Sequence, residues 1–338
     1  MLVRSVLAAA VAAMVAGQVS AADKVEWNAS LWGNPRAVTR GIEAVAKYVE
    51  EKSAGNFTIK INYGETLSAA RENIDSISLG AFEVAQMCTS YHPGKNPLGT
   101  VLDLPFLPLP NFDVLVKVHD AFQNYEPWQK ELGRWNAKPW VTAVLPQYEF
   151  MGVGKPPREL EDWKSMRVRA LGGIGEAMRK LGSVPTTVPA PEVYTSLERG
   201  VVQAASFPYS YTFGAYRLHE IGKWFTEGLQ PGTLHCPFVL GKDAYANLPA
   251  EYQQMMQDAI PLNYAALKSA YEEADKKWIP IYKANMEVIT YTEEQHKAFK
   301  AVGAKPVWDD WVESNKGKFD SQAALDFVLN TAAAAAGK

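Results

Sequence analysis

Arg169 is the residue of this chain best placed to do chemistry. It lies near the end of a short β-patterned run, Met166 to Ala170, and a helix-patterned stretch follows at once. A guanidinium at a strand end facing a helix start is an anion grip, because its planar fork matches a carboxylate with two parallel hydrogen bonds. Arg167 falls on the same side of a strictly alternating strand. Catalytic constellations find little material. Gly173-x-Gly175 opens like a dinucleotide fingerprint, but Met178 stands where the next glycine belongs. No GxSxG, P-loop, CxxC or HExxH run occurs. The five histidines, His92, His119, His219, His235 and His296, are scattered. Four default to structural roles, while His235 stays open as a ligand candidate. Glu293-Glu294 occupies a helix's first turn, where the dipole accounts for it. No catalytic residue, cofactor or metal-ligand set is assigned.

These residues must be positioned by ordinary α/β elements. Val25 to Leu31 reads as a strand, and Val38, Ile42, Val45 and Val49 recur at helical spacing within a helix predicted over 36–52. A strand at 57–61, a helix at 67–79 and a strand at 82–88 follow. Strand and helix alternating with short connections is the pattern of a parallel sheet covered by helices. Next come a helix over 112–132 and a strand over 140–145, and Pro156-Pro157 with Gly152 and Gly154 marks a crossing between domains. A second alternation occupies 160–202. The region from Leu248 to about Asn285 is helical, interrupted at Pro261 and Pro280, and long enough to span two domains. A strand at 287–291 and a capping box at Thr292 and Gln295 come after it. Ala332–Ala336 reads as a fraying tail.

The 338 residues suffice for two domains, and 47% hydrophobic content suits a packed globular protein. A net charge of −3 gives no pull toward nucleic acid or anionic membrane. Arg4, the apolar run Ser5 to Gly17 and Val19-Ser20-Ala21 form a signal peptide over 1–22, cleaved after Ala21 or Ala22. No later run reaches membrane-spanning length, so the mature chain is expected to be exported without inserting, with the bacterial periplasm as its compartment. Cys88 and Cys236 can pair in an oxidising compartment, but spacing alone leaves that open.

The motifs around Arg169 resemble the DctP-type solute-binding proteins of TRAP transporters. The family's D-L-K-G-L-K-I-R corresponds to Asp162–Arg169, its G-A-x-P-V to Gly182–Val184 onward, and its E-V-Y-x-A-L-x-x-G-V-V-D-G to Glu192–Val202 and beyond. Leu104-Pro105-Phe106-Leu107 resembles a further family segment, and the similarity runs from Trp27 to about Trp311. The resemblance implies a periplasmic binding protein-like fold: two α/β domains with central sheets, joined by hinge strands and a long spanning helix. Domain I takes 23–147 plus about 234–275, domain II takes 148–233 plus about 276–320, and 321–338 form a C-terminal helix or tail. It also implies that Arg169 holds the ligand's carboxylate and that Arg167 is solvated. Ser206 and Phe207 occupy cleft-facing family positions, Tyr209 and Tyr211 follow at once where members often place an asparagine, and Trp32, Tyr91, Tyr148 and His235 fall near strand ends lining the cleft. Many members carry a second arginine about twenty residues before the first, where this chain has Glu149. A carboxylate there argues against a dicarboxylate and for a monocarboxylate, the alternative being a shifted alignment with Glu149 merely solvated. The aromatic candidates favour an aromatic or apolar body, a zwitterion coming next. The implied partners are that small organic carboxylate and the permease subunits of a TRAP transporter. A secreted enzyme acting on a small acid, with Glu149 and a histidine as acid and base, is the rival from another class. A receptor for a sensor protein keeps the fold and changes the partner.

Overall fold

The structure, a computed structural model, describes residues 24–337. The expected signal peptide lies outside the described residues. Eleven strands form among those described: β1 (Val25–Ser30), β2 (Phe57–Asn62), β3 (Val84–Gln86), β4 (Ala137–Thr142), β5 (Tyr148–Gly152), β6 (Arg167–Arg169), β7 (Val184–Thr186), β8 (Ala204–Pro208), β9 (Trp224–Thr226), β10 (Pro237–Gly241) and β11 (Glu287–Ile289). They build two sheets, ordered β2-β1-β3-β10-β4 and β11-β9-β5-β8-β6-β7. Each sheet is parallel apart from one strand. In the first, β10 runs antiparallel to β3 and β4. In the second, β5 runs antiparallel to β8 and β9. These two strands are the ones that enter directly from the other sheet, through 143–147 and 227–236. A short crossing leaves no room for the helix that a parallel strand requires.

Each sheet has its own aromatic core. In the first domain Trp27 meets Phe57 edge-on at 5.2 Å, and Tyr252 stacks on Phe57 at 5.1 Å. In the second, Trp163 packs between Phe150 at 4.9 Å and Trp224 at 5.9 Å. Such rings bury large areas and account for much of each domain's hydrophobic stabilisation.

The 26-residue helix Ile260–Asn285 packs on both halves. Its start lies against the helix Arg40–Lys52, where a side chain on Gly41 would come within 2.3 Å of Asn263. Its end lies against the second domain, where Gly214 admits Trp278 just as closely, at 2.2 Å, and Tyr282 donates to the Ser210 carbonyl at 2.9 Å. Pro261 sits in its first turn, where no helical donor is lost, and Pro280 lies inside without ending it. Other elements differ from the sequence reading. Only Asn73–Ser78 of the 67–79 stretch is helical. The 112–132 run splits into Phe112–Gln123 and Glu126–Gly133, because Pro127 starts a new first turn. The terminal alanines belong to an ordered helix, Ser321–Ala335, with Ala332 buried beneath them.

Candidate functional site

Between the domains lies a cavity of about 40 Å³. A single water needs roughly 10–15 Å³ by this measure, so the space suits a compact ligand. Trp32, Gln86, Tyr91 and the Cys88–Cys236 disulfide line it from the first domain, and Tyr148, Arg169, Phe207 and Tyr211 from the second. The structure therefore pairs the two cysteines. The bridge ties the C-terminal end of β3 to the start of β10 and forms part of the cavity wall.

Arg169 ends β6 with its side chain buried, the residue being 1% exposed. Its Nε donates to the Val188 carbonyl at 3.0 Å and its Nη1 to the Ser206 carbonyl at 2.6 Å. Its Cζ lies 4.1 Å from the centre of the Phe207 ring. Among the described residues no carboxylate forms an ion pair with it. A buried charge is stable only when paired or well bonded, and here two carbonyls and a ring face orient the guanidinium without neutralising it. Ser206 supports the grip from behind, because its Oγ donates to the Arg169 carbonyl at 3.2 Å where β8 runs beside β6.

The aromatic walls have defined geometry. Trp32 meets Tyr91 edge-on at 5.6 Å, and the Tyr91 hydroxyl accepts a hydrogen bond from the Ala190 amide at 3.0 Å, across the domain boundary. Burial pushes the Tyr148 phenol well above its ordinary value, with the Arg169 charge pulling the other way, so it remains a neutral donor and acceptor. Burial raises the Tyr211 phenol to about 12.

Four of the expected contacts do not line this cavity: Ser206, which only braces Arg169 from behind, and Glu149, Tyr209 and His235. The Glu149 carboxylate turns into the loop after β9, where it accepts from the Thr226 hydroxyl at 2.6 Å and from the amides of Gly228, Leu229 and Gln230 at 2.9, 3.2 and 3.3 Å. Burial pushes it up to about 8 against the pull of these four donors. Tyr209 stacks on Phe225 and donates to Glu227 at 3.2 Å, and it borders a neighbouring pocket together with Glu149. His235 sits between Leu234 and Cys236, which do line the cavity, and its own ring points the other way, against Phe122 and Trp128. Its Nε2 lies 3.2 Å from the Gln123 amide, and burial lowers its imidazole well below the ordinary value. Arg167 lies at the surface and donates to the carbonyls of Gly200 and Val201.

The structure adds cavity residues that the sequence reading missed, above all Arg36, with Gln86, Thr212 and Tyr216. Arg36 follows the turn Gly33-Asn34-Pro35 just past the end of β1. An arginine beyond a strand end is the signal that singled out Arg169, and it was available here too. The absence of a second arginine near position 149 therefore does not leave the cavity with a single positive charge.

Comparison with known proteins sets this geometry in a family. Residues 29–315 match the family described as bacterial extracellular solute-binding protein, family 7, also called DctP. The chain belongs to that family. A solute-binding protein of Albidiferax ferrireducens is 25% identical over 291 residues, which span 82% of each chain. Among solved structures, a TRAP periplasmic solute-binding protein from Desulfovibrio salexigens with bound orotic acid superposes with a TM-score of 0.82, at 20% identity over 92% of this chain and all of that one. One from Rhodoferax ferrireducens with copurified benzoate gives 0.81, at 17% identity over 93% of this chain and 99% of the other. The DctP relatives are solute receptors of TRAP transporters, so this protein is a binding protein and not an enzyme. Among the described residues no helix is long and apolar enough to cross a membrane.

Proposed function

We propose that this DctP protein is a periplasmic receptor that closes its two domains over a small organic carboxylate and delivers it to the permease of a TRAP transporter. The observation that carries the reading is Arg169: a buried guanidinium on the cavity wall, held by two carbonyls and a ring, with no acidic partner among the described residues. A ligand carboxylate would complete the pair, and exclusion of water on closure would strengthen it. The walls are largely aromatic and aliphatic, and among the described residues no aspartate or glutamate lines the cavity. That favours an acid with an aromatic or apolar body over a zwitterion, whose cationic end would meet two guanidiniums. Orotic acid and benzoate, held by two structural neighbours, are acids of suitable compactness.

Calorimetric titration with a panel of organic acids, beginning with benzoate and orotate, tests this directly. The wild-type protein is expected to bind at least one of them, and Arg169→Ala to weaken that binding by about a hundredfold, since removing one side of a buried charge pair costs roughly 2–5 kcal/mol. Full affinity in Arg169→Ala would overturn the carboxylate grip.

A further inference from the structure

Four side chains form one column across the domain boundary. The Arg36 Cζ, from the first domain, lies 5.6 Å from the Tyr216 ring centre. Tyr216 stacks on Phe207 with centroids 5.7 Å apart and planes 15° from parallel. The Arg169 Cζ then lies 4.1 Å over the other ring of the pair. All four line the cavity, so two cations from different domains flank one aromatic pair. The Arg36 Nη1 donates to the carbonyls of Trp32 at 2.8 Å and Asn34 at 2.9 Å, which fixes the guanidinium plane. Its Nε and Nη2 have no acceptor among the described residues, and Arg36 makes no ion pair there. Two more polar atoms on the same walls, the buried Tyr216 hydroxyl and Gln86 Oε1, also lack a partner among the described residues.

We infer that Arg36 is a ligand-binding, specificity-determining residue that takes a second acceptor group of the bound acid, a carboxylate or keto oxygen, while Arg169 takes the first carboxylate. The inference rests on the organic-acid reading above. An acid with only one carboxylate answers Arg169 and leaves the half-buried Arg36 guanidinium to water alone. A second oxygen-bearing group answers that charge with the fork geometry that guanidinium offers. Arg36 stands on the first domain and its stacking partners on the second, so a ligand spanning both arginines also bridges the domains and favours closure. This reverses the monoacid preference drawn from Glu149, whose carboxylate is consumed by the loop after β9.

The test uses acids matched in skeleton: benzoate against phthalate, isophthalate and terephthalate, and butyrate against 2-oxobutyrate and succinate. Affinities are measured by calorimetry for the wild type, Arg36→Ala and Arg36→Gln, with melting curves of the unliganded proteins as the check on folding. Wild type is expected to favour at least one acid bearing the second group by about tenfold over its monoacid, the scale of a charged hydrogen bond. Arg36→Ala is expected to erase that preference, costing the acid with the second group about tenfold more than its matched monoacid, and Arg36→Gln, which can still donate to the turn carbonyls, to behave alike. If both variants weaken the matched acids equally, Arg36 only braces its turn and the inference fails, while the receptor reading survives. A wild type that prefers the monoacids also overturns it. If no acid binds the wild type, the organic-acid reading fails as well.

Discussion

Burial acts on Arg169 and Glu149 in opposite functional directions. Arg169 is dehydrated next to an open space, so its charge is available to a ligand. Glu149 is dehydrated inside a closed set of four donors, so its effect is on folding. The ordinary value of its carboxyl is 4.5 and the folded value about 8, so the folded protein holds a proton that the unfolded chain releases. The stabilisation it contributes is complete below pH 4.5 and is lost as pH rises through about 8. Thermal melts between pH 5 and pH 9 should therefore show a falling limb that flattens in Glu149→Gln, even though the variant loses acceptor capacity and melts lower throughout. An unchanged slope would show that Glu149 does not titrate there. The place of Arg169 on the cavity wall was legible in the sequence because residue type and strand-end position are local properties. Glu149 was not, because what occupies its carboxylate is a loop some eighty positions later in the chain. Tyr209 and His235 were misplaced for a similar reason: a residue next to the cleft in sequence can turn its ring away from it.

Strands and helices carry the architecture, and their legibility follows how local their causes are. Helix Arg40–Lys52 and the capping box at Thr292 were readable because periodicity and caps are properties of neighbouring residues. The insertion of β10 between β3 and β4 was not, since nothing local marks a strand whose partners lie about 100 and 150 residues away. The disulfide belongs to the same class. It joins positions 148 residues apart at adjoining ends of β3 and β10. In the chain-entropy view a loop that long stabilises the native state by about 4–5 kcal/mol, and measured bridges fall within roughly 2–5. The double variant Cys88→Ser, Cys236→Ser is expected to lose stability on that scale in urea unfolding without reductant. Wild type reduced with dithiothreitol should then unfold near the variant's midpoint. Coincident midpoints for oxidised wild type and variant would remove the bridge from the stabilising interactions.

At the scale of the molecule, the proposed function makes binding and closure one equilibrium, whose position the contacts across the cleft would set. Besides the bonds from Trp308 to the Pro105 carbonyl and from Trp311 to Thr100, two such hydrogen bonds lie away from the crossing strands: the Ala190 amide donates to the Tyr91 hydroxyl at 3.0 Å, and Arg71 Nη2 donates to the Thr187 carbonyl at 3.0 Å. Both receive their second-domain partner from the segment just after β7, so that segment latches onto the first domain beside the ligand cavity. The long helix Ile260–Asn285 packs on both domains, against the helix Arg40–Lys52 at its start and against Ser210 and Gly214 near its end. Tyr91→Phe keeps the ring against Trp32 and removes only the hydroxyl, leaving the Ala190 amide without its acceptor in the closed form. A hydrogen bond of this kind contributes about 0.5–1.5 kcal/mol, so ligand affinity should fall by about two- to tenfold. If the loss acts through closure, the radius of gyration measured by small-angle scattering should be larger for the variant than for wild type at subsaturating ligand, and equal once both are saturated. An affinity loss with identical scattering at every ligand concentration would instead make the Tyr91 hydroxyl a ligand contact and leave the latch without a role.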